Sequence, residues 1–245
     1  MTAGHDLAPL RATLTAEWSV IREWIGGIPS EAYDRPSVLD GWTVRDLIAH
    51  LAPGIRVLAA TSKPETGTEP LGVAAYVGTY PVNADGIAES TRSLAARTDD
   101  VTGLLDEAWA EVSAWLADAG EDGRRVVQAR RGPIRLDELV RTRLLEIVVH
   151  GDDLARSVPE LAPPAHDRGA LRDVVKSLLA VLVERAPGRS VEVRVPPFAA
   201  VQVIEGTSHT RGTPPNTVET DPLTWIRIAC GRQTWSEAGI DVRPT

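Results

Sequence analysis

Apolar residues recur at spacings of three and four through residues 7 to 158 of this 245-residue chain, and that period admits helices and little else. Leu7, Leu10, Leu14, Trp18, Ile21 and Ile25 form one face of a first helix, which Gly26 and Gly27 stop. In GWTVRDLIAHL, Thr43 can cap a second helix with Asp46 three residues on, and Val44, Leu47, Ile48 and Leu51 make its buried stripe. Trp42, just ahead of the cap, reads as a staple on the first turn. A third helical region spans residues 85 to 119, with a break at Thr98 to Asp100 and with Leu104, Leu105, Trp109, Val112 and Leu116 facing inward. The fourth helix runs from Leu136 to Val158 after a turn at Gly132 and Pro133. Four long amphipathic helices predict a four-helix bundle over residues 1–158. The segment from Thr61 to Gly86, rich in Gly, Pro and Thr, predicts a lid or binding loop.

The texture changes after Pro159. LAPPAHD reads as a linker and LRDVVKSLLAVLVERA as one more amphipathic helix. VEVRV, AAVQVI and residues 217–220 read as strands, and Asp221 with Pro222 starts a last helix that ends at Gly231. These elements predict a small α+β domain over residues 165–245.

Composition excludes several classes of function. A net charge of −8 and a pI near 5.2 argue against nucleic-acid partners, whose phosphates call for clustered cations. No run approaches the roughly 18 to 20 apolar residues of a membrane helix, and MTAGHDLAPL lacks the basic-then-apolar pattern of a leader, so a cytoplasmic protein without membrane association is expected. A monomer is expected as well. Cys230 is the single cysteine, which rules out disulfides and any site built from several thiolates. At a helix end that reads as buried it is also a poor nucleophile.

A metal bound here must therefore use histidine and carboxylate. Glu146 and His150, four residues apart on the fourth helix, project from one face, and His50, late in the second helix, can meet them across a bundle core. Two nitrogens and one carboxylate oxygen suit zinc with a position left open for water or substrate. The competing reading is an ordinary helical ion pair, since Arg143 lies three residues before Glu146. Asp153 can accept a hydrogen bond from His150, or serve as a fourth ligand if the metal is only structural, whereas Asp152 is expected to face solvent. His5 and His166 fall in tail and linker. His209 and Arg211 fall in a polar loop, which reads as solvated and could alternatively take an anion or substrate.

GWTVRDLIAHL and RLLEIVVHGDDLARSV together resemble the two signature segments of the mycothiol-dependent maleylpyruvate isomerase family, whose N-terminal domain is a DinB-like four-helix bundle. The resemblance implies that His50, Glu146 and His150 bind the metal. VEVRVPPFAAVQVIEG, HTRGTPPN and TVETDPLTWIRIACGR resemble the bacterial sterol-carrier-protein-like domain that accompanies such bundles, a class associated with apolar ligands. An arginine in that domain assists the substrate of the isomerases, and Arg232 in ACGR is the match; the alternative is a helix-end arginine at the negative end of the dipole. From the resemblance follow a mycothiol-type thiol cofactor, a small electrophilic substrate, and either isomerisation or transfer. Because thiolate addition creates negative charge that a fixed guanidinium can stabilise, the active site is expected in a cleft between the two domains, with Arg232 facing the metal and the loop from Thr61 to Gly86 nearby. The rival is a lipid or sterol-type carrier in which the bundle is only structural.

Overall fold

In a computed structural model, residues 7–80, 82, 84–206 and 216–240 are described, together with the backbone of 243–244. The chain divides into two units, Met1–Asp167 and Arg168–Thr245.

The first unit is built on α1 (Leu7–Gly26), α2 (Val44–Arg56), α5 (Val101–Asp118) and α6 (Leu136–Ser157), with α3 (Val73–Gly78) and α4 (Ala84–Ala96) between α2 and α5. All six apolar positions of the α1 stripe and all four of the α2 stripe are buried, because a stripe at spacings of three and four can leave water only against another helix. Accordingly α2 packs on α5 and α6, and α1 on α6 and α5. Trp18 of α1 stacks on Trp109 of α5 with ring centroids 5.2 Å apart. Thr43 and Asp46 form a reciprocal capping box at the start of α2: Thr43 Oγ1 accepts from the Asp46 amide, and the Asp46 carboxylate accepts from the Thr43 amide. The expected break in the third helical region falls between α4 and α5, where Asp100 caps the new helix by accepting from the amides of Thr102 and Gly103.

Two local expectations are corrected. The region from Thr61 to Gly86 is not a bare loop, since it contains α3 and the first turn of α4. Gly132 and Pro133 do not form a turn; they open β2 (Gly132–Arg135), which pairs antiparallel with β1 (Val126–Ala129), and the turn lies at Arg130 and Arg131. A two-residue turn between four-residue strands is too short to show alternation in sequence. The hairpin is tied to the preceding segment by bridges Ser62 to Gln128 and Leu71 to Ile134. Residues 161–167, read as a linker, end at the boundary between the two units and are tied to α1: Trp24 Nε1 donates to the Ala162 carbonyl at 2.7 Å, and the buried carboxylate of Glu17 accepts from His166 Nδ1 at 2.6 Å and from the Asp167 amide at 2.8 Å.

In the second unit α7 (Arg168–Arg185) packs on α8 (Pro222–Ala229) and on β4 of a four-stranded sheet ordered β4-β3-β5-β6. β3 (Val191–Val195) pairs antiparallel with β4 (Ala199–Val203) and parallel with β5 (Asn216–Glu219), and β6 (Arg243–Pro244) adds antiparallel to β5. Asp221 caps α8 by accepting from the Thr224 amide, with Pro222 in the first turn. Among the described residues no helix is long and apolar enough to cross a membrane.

Candidate metal centre

His50 lies on the next-to-last turn of α2, where Pro53 and Gly54 follow, and Glu146 and His150 sit one turn apart on α6. Packing of α2 on α6 closes the gap between them. The two imidazole rings meet edge to face with centroids 5.0 Å apart, and one donor atom from each of the three residues lies within 4.8 Å of the others.

Both histidines are held from behind. His150 Nδ1 is 3.1 Å from Asp153 Oδ2, and His50 Nδ1 is 3.3 Å from Thr91 Oγ1 on α4. With Nδ1 engaged outward, each ring turns Nε2 to the same place: His150 Nε2 is 3.2 Å and His50 Nε2 3.7 Å from Glu146 Oε2. The other oxygen, Glu146 Oε1, is 3.7 Å from Arg143 Nη2. The ion pair and the histidine cluster, alternatives in the sequence, therefore share one carboxylate, one oxygen each. Arg143 is itself only 5% exposed, and it donates to Tyr80 Oη, to the Gly54 carbonyl at 3.2 Å and to Thr142 Oγ1 at 3.1 Å.

The electrostatics follow from burial and these contacts. Burial lowers the His50 imidazole below its ordinary range, and Glu146 only partly offsets it. His150 feels the same burial penalty, yet hydrogen bonds to Asp153 and Glu146 outweigh it and push the ring up to about 9. Burial by itself would raise Glu146; hydrogen bonds from His150 and His50 and the charge of Arg143 instead hold it well below the usual carboxylate range. In the metal-free protein a proton on His150 thus stands where a cation is wanted, between Glu146 and Asp153. The donor set of two imidazole nitrogens and one carboxylate oxygen could hold a metal ion. Asp153, fully buried behind His150, supports the ring and is not turned to the cluster as a fourth donor.

Other sequence expectations are resolved differently. Trp42 meets the His50 ring edge to face at 5.2 Å, two turns into α2, so it also walls the cluster. Asp152 is buried, not solvent-facing, because α6 is enclosed from Ile147 to Leu154. Cys230 is half-buried at the end of α8 and not fully enclosed. Arg232 follows α8 in the second unit, where its Nη1 donates to the Cys230 carbonyl at 3.2 Å, a helix-end contact. His5, His209 and Arg211 lie outside the described residues. Sequence reasoning missed Tyr80, Thr91 and the partner of His166; Glu17, an acid inside the apolar stripe of α1, was the legible signal for the last.

A helical bundle carrying a half-buried two-histidine, one-carboxylate cluster, followed by a small α+β unit, defines the class. Residues 14–155 match the family described as the mycothiol maleylpyruvate isomerase N-terminal domain, and residues 167–243 match the bacterial SCP ortholog family. The chain belongs to the mycothiol maleylpyruvate isomerase family. Among solved structures it is similar to a mycothiol-dependent maleylpyruvate isomerase, at 18% identity and a TM-score of 0.59 over 93% of this chain and 91% of that one. A mutant of such an enzyme matches at 17% identity and 0.59 over 92% and 90%. No curated protein sequence matches the chain.

Proposed function

We propose that the chain is a metal-dependent enzyme that uses a small thiol of the mycothiol type to act on a small electrophilic molecule, by isomerisation or by transfer. The observation that carries this reading is the convergence of His50 Nε2, His150 Nε2 and Glu146 Oε2 with every rear atom of the cluster engaged elsewhere. Family membership and the fold shared with mycothiol-dependent isomerases support the thiol. His50, Glu146 and His150 would hold a zinc-type ion, which would supply the positive charge that favours a thiol as thiolate at neutral pH. The protein's own part is positional. Asp153 and Thr91 keep the Nδ1 protons in place, and Arg143 restrains the second oxygen of Glu146. The chain's single cysteine, Cys230, is half-buried at the end of α8 and a poor nucleophile, so an external thiol is the proposed nucleophile. Arg232 is the proposed substrate-assisting arginine, on sequence grounds.

Elemental analysis of protein purified without chelators tests the centre, with about one equivalent of zinc per chain expected. His150→Ala should abolish that metal while leaving the helical circular dichroism intact, because the bundle is held by its apolar stripes. A metal-free wild type would sink the reading. An outright unfolded variant would make the metal structural.

The second family match favours a carrier as the alternative. The two part on one titration of the full chain: a fluorescent fatty acid that binds equally with and without chelator supports the carrier, whereas thiol binding that needs metal supports the enzyme.

A further inference from the structure

Besides the cavity at the cluster, walled in part by His50, Tyr80 and Glu146, the first unit has a second that shares no lining residue with it. About 690 Å³ in volume, it lies between the stretch from Thr61 to Thr68, Trp115 on the last turn of α5, and residues 125–127 at the start of β1. The stretch opens the segment whose composition predicts a binding loop, and it is held in place. Ser62 and Gln128 exchange both main-chain bonds, at 3.0 and 2.9 Å, which ties it to the outer edge of β1. Glu65 to Thr68 close a turn in which the Thr68 amide and hydroxyl both donate to the Glu65 carbonyl and Gly67 takes the positive φ, 83°, that such a turn requires. Arg125 is fixed through its backbone, donating to the Asp122 carbonyl and accepting from the Leu136 amide.

The protein itself leaves much of this lining unsatisfied. In the antiparallel register set by Ser62 and Gln128, Val126 comes opposite Pro64, which has no N–H to donate, so the edge groups of Val126 have no strand partner. Lys63 and Arg125 line the cavity against the one carboxylate of Glu65, and among the described residues neither cation is in an ion pair. In a chain of net charge −8 that local excess is not a reflection of composition. The indole Nε1 of half-buried Trp115 and the hydroxyls of Ser62 and Thr66 likewise make no hydrogen bond among the described residues. An indole beside cations, hydroxyls and a free amide suits a flat ring that bears an anion, because bases stack on aromatic faces and charge-assisted donors take phosphate oxygens. The volume falls within the roughly 300–1,000 Å³ of small-molecule sites.

We propose that this cavity is a second ligand site, for a small phosphorylated molecule with a planar heterocycle, a nucleoside monophosphate in chemical class. The ring stacks on Trp115, and Lys63, Arg125 and the Val126 amide take the phosphate. The site depends neither on the metal centre nor on the proposed activity.

The test is calorimetric titration of the full-length protein with AMP, and separately with adenosine and with inorganic phosphate, in the presence of chelator so that no metal at the cluster can take the phosphate. AMP should bind, and each of its two parts at least tenfold more weakly. Lys63→Gln and Arg125→Gln change exposed side chains, so both variants should fold, and each should weaken AMP about tenfold. Trp115→Leu should weaken AMP and adenosine by similar factors of about ten, which a site made by charge alone would not show. Should that variant lose its helical circular dichroism, the two charge variants decide the question without it. Arg131→Gln, in the other cavity, should change nothing. Absence of AMP binding, affinity for AMP no greater than for adenosine or for phosphate, or binding indifferent to Lys63, Arg125 and Trp115 overturns the proposal. AMP binding that is lost in Arg131→Gln and kept in Arg125→Gln puts the ligand at the cluster and overturns it as well.

Discussion

Glu17 is an acid placed in the buried stripe of α1, and its replacement by alanine offers the sharpest test of how the first unit is held together. Its carboxylate is 0% exposed and accepts two bonds, from His166 Nδ1 at 2.6 Å and from the Asp167 amide at 2.8 Å. Hydrogen bonds to a charged group are worth about 1.5–3 kcal/mol each, so two amount to roughly 3–6 kcal/mol. Breaking a buried pair by deleting one member costs about 3–5 kcal/mol, because the partner is left dry and unmatched. The two estimates agree near ~4 kcal/mol. With a urea m-value of about 2 kcal/mol/M, Glu17→Ala should lower the midpoint by about 2 M, read by tryptophan fluorescence. Glu17→Gln keeps one acceptor of the same shape and should lose about half as much. Residues 161–167 would then be pinned chiefly by Trp24 and its bond to the Ala162 carbonyl. A loss below about 1 kcal/mol for Glu17→Ala, or equal losses for the two variants, would refute the reasoning and show that this segment is held by packing alone.

Three further outcomes follow from the same geometry. Asp153→Asn should weaken zinc about 10- to 100-fold in chelator competition while helical circular dichroism is retained, because the bond behind His150 orients Nε2. In the chelated protein, the raised folded-state pKa of His150 contributes stability that is fully present below its ordinary value of 6.5 and lost as pH rises through about 9; thermal midpoints should fall across that window, and a flat profile would contradict the charged pairing with Glu146 and Asp153. Gly151→Ala should destabilise by about 1–2 kcal/mol in urea, since a new Cβ would sit 2.6 Å from Ile21 Cδ1 and 3.3 Å from His166 Cε1, and overpacking of about 1–3 kcal/mol exceeds the helix-propensity gain of up to about 1 kcal/mol.

Much of this protein is written locally. The stripes of α1 and α2, the Thr43 cap with Asp46, the break before Asp100 and the Asp221–Pro222 helix start are all near-neighbour signals, and each is decided by residues within about a turn of one another. The three members of the cluster were legible for the same reason: Glu146 and His150 share a helical face, and His50 ends a segment whose pairing with theirs carries the family resemblance. What only the tertiary structure decided is everything that joins distant residues. Arg143 and the histidines compete for Glu146 on paper, yet in space they take different oxygens, a distinction of about a carboxylate's width that spacing does not encode. Tyr80, Thr91 and Arg131 reach the same region from α4, from the segment before it and from a hairpin turn, separated by 11 to 51 residues, and no periodic pattern links them. Asp152 is enclosed for a similar reason, since a helix shows its own faces in sequence but not how many of them its neighbours cover. Helix and strand patterns record the period of one element; burial and side-chain partnership record the packing of several, and that is settled only when the chain has folded.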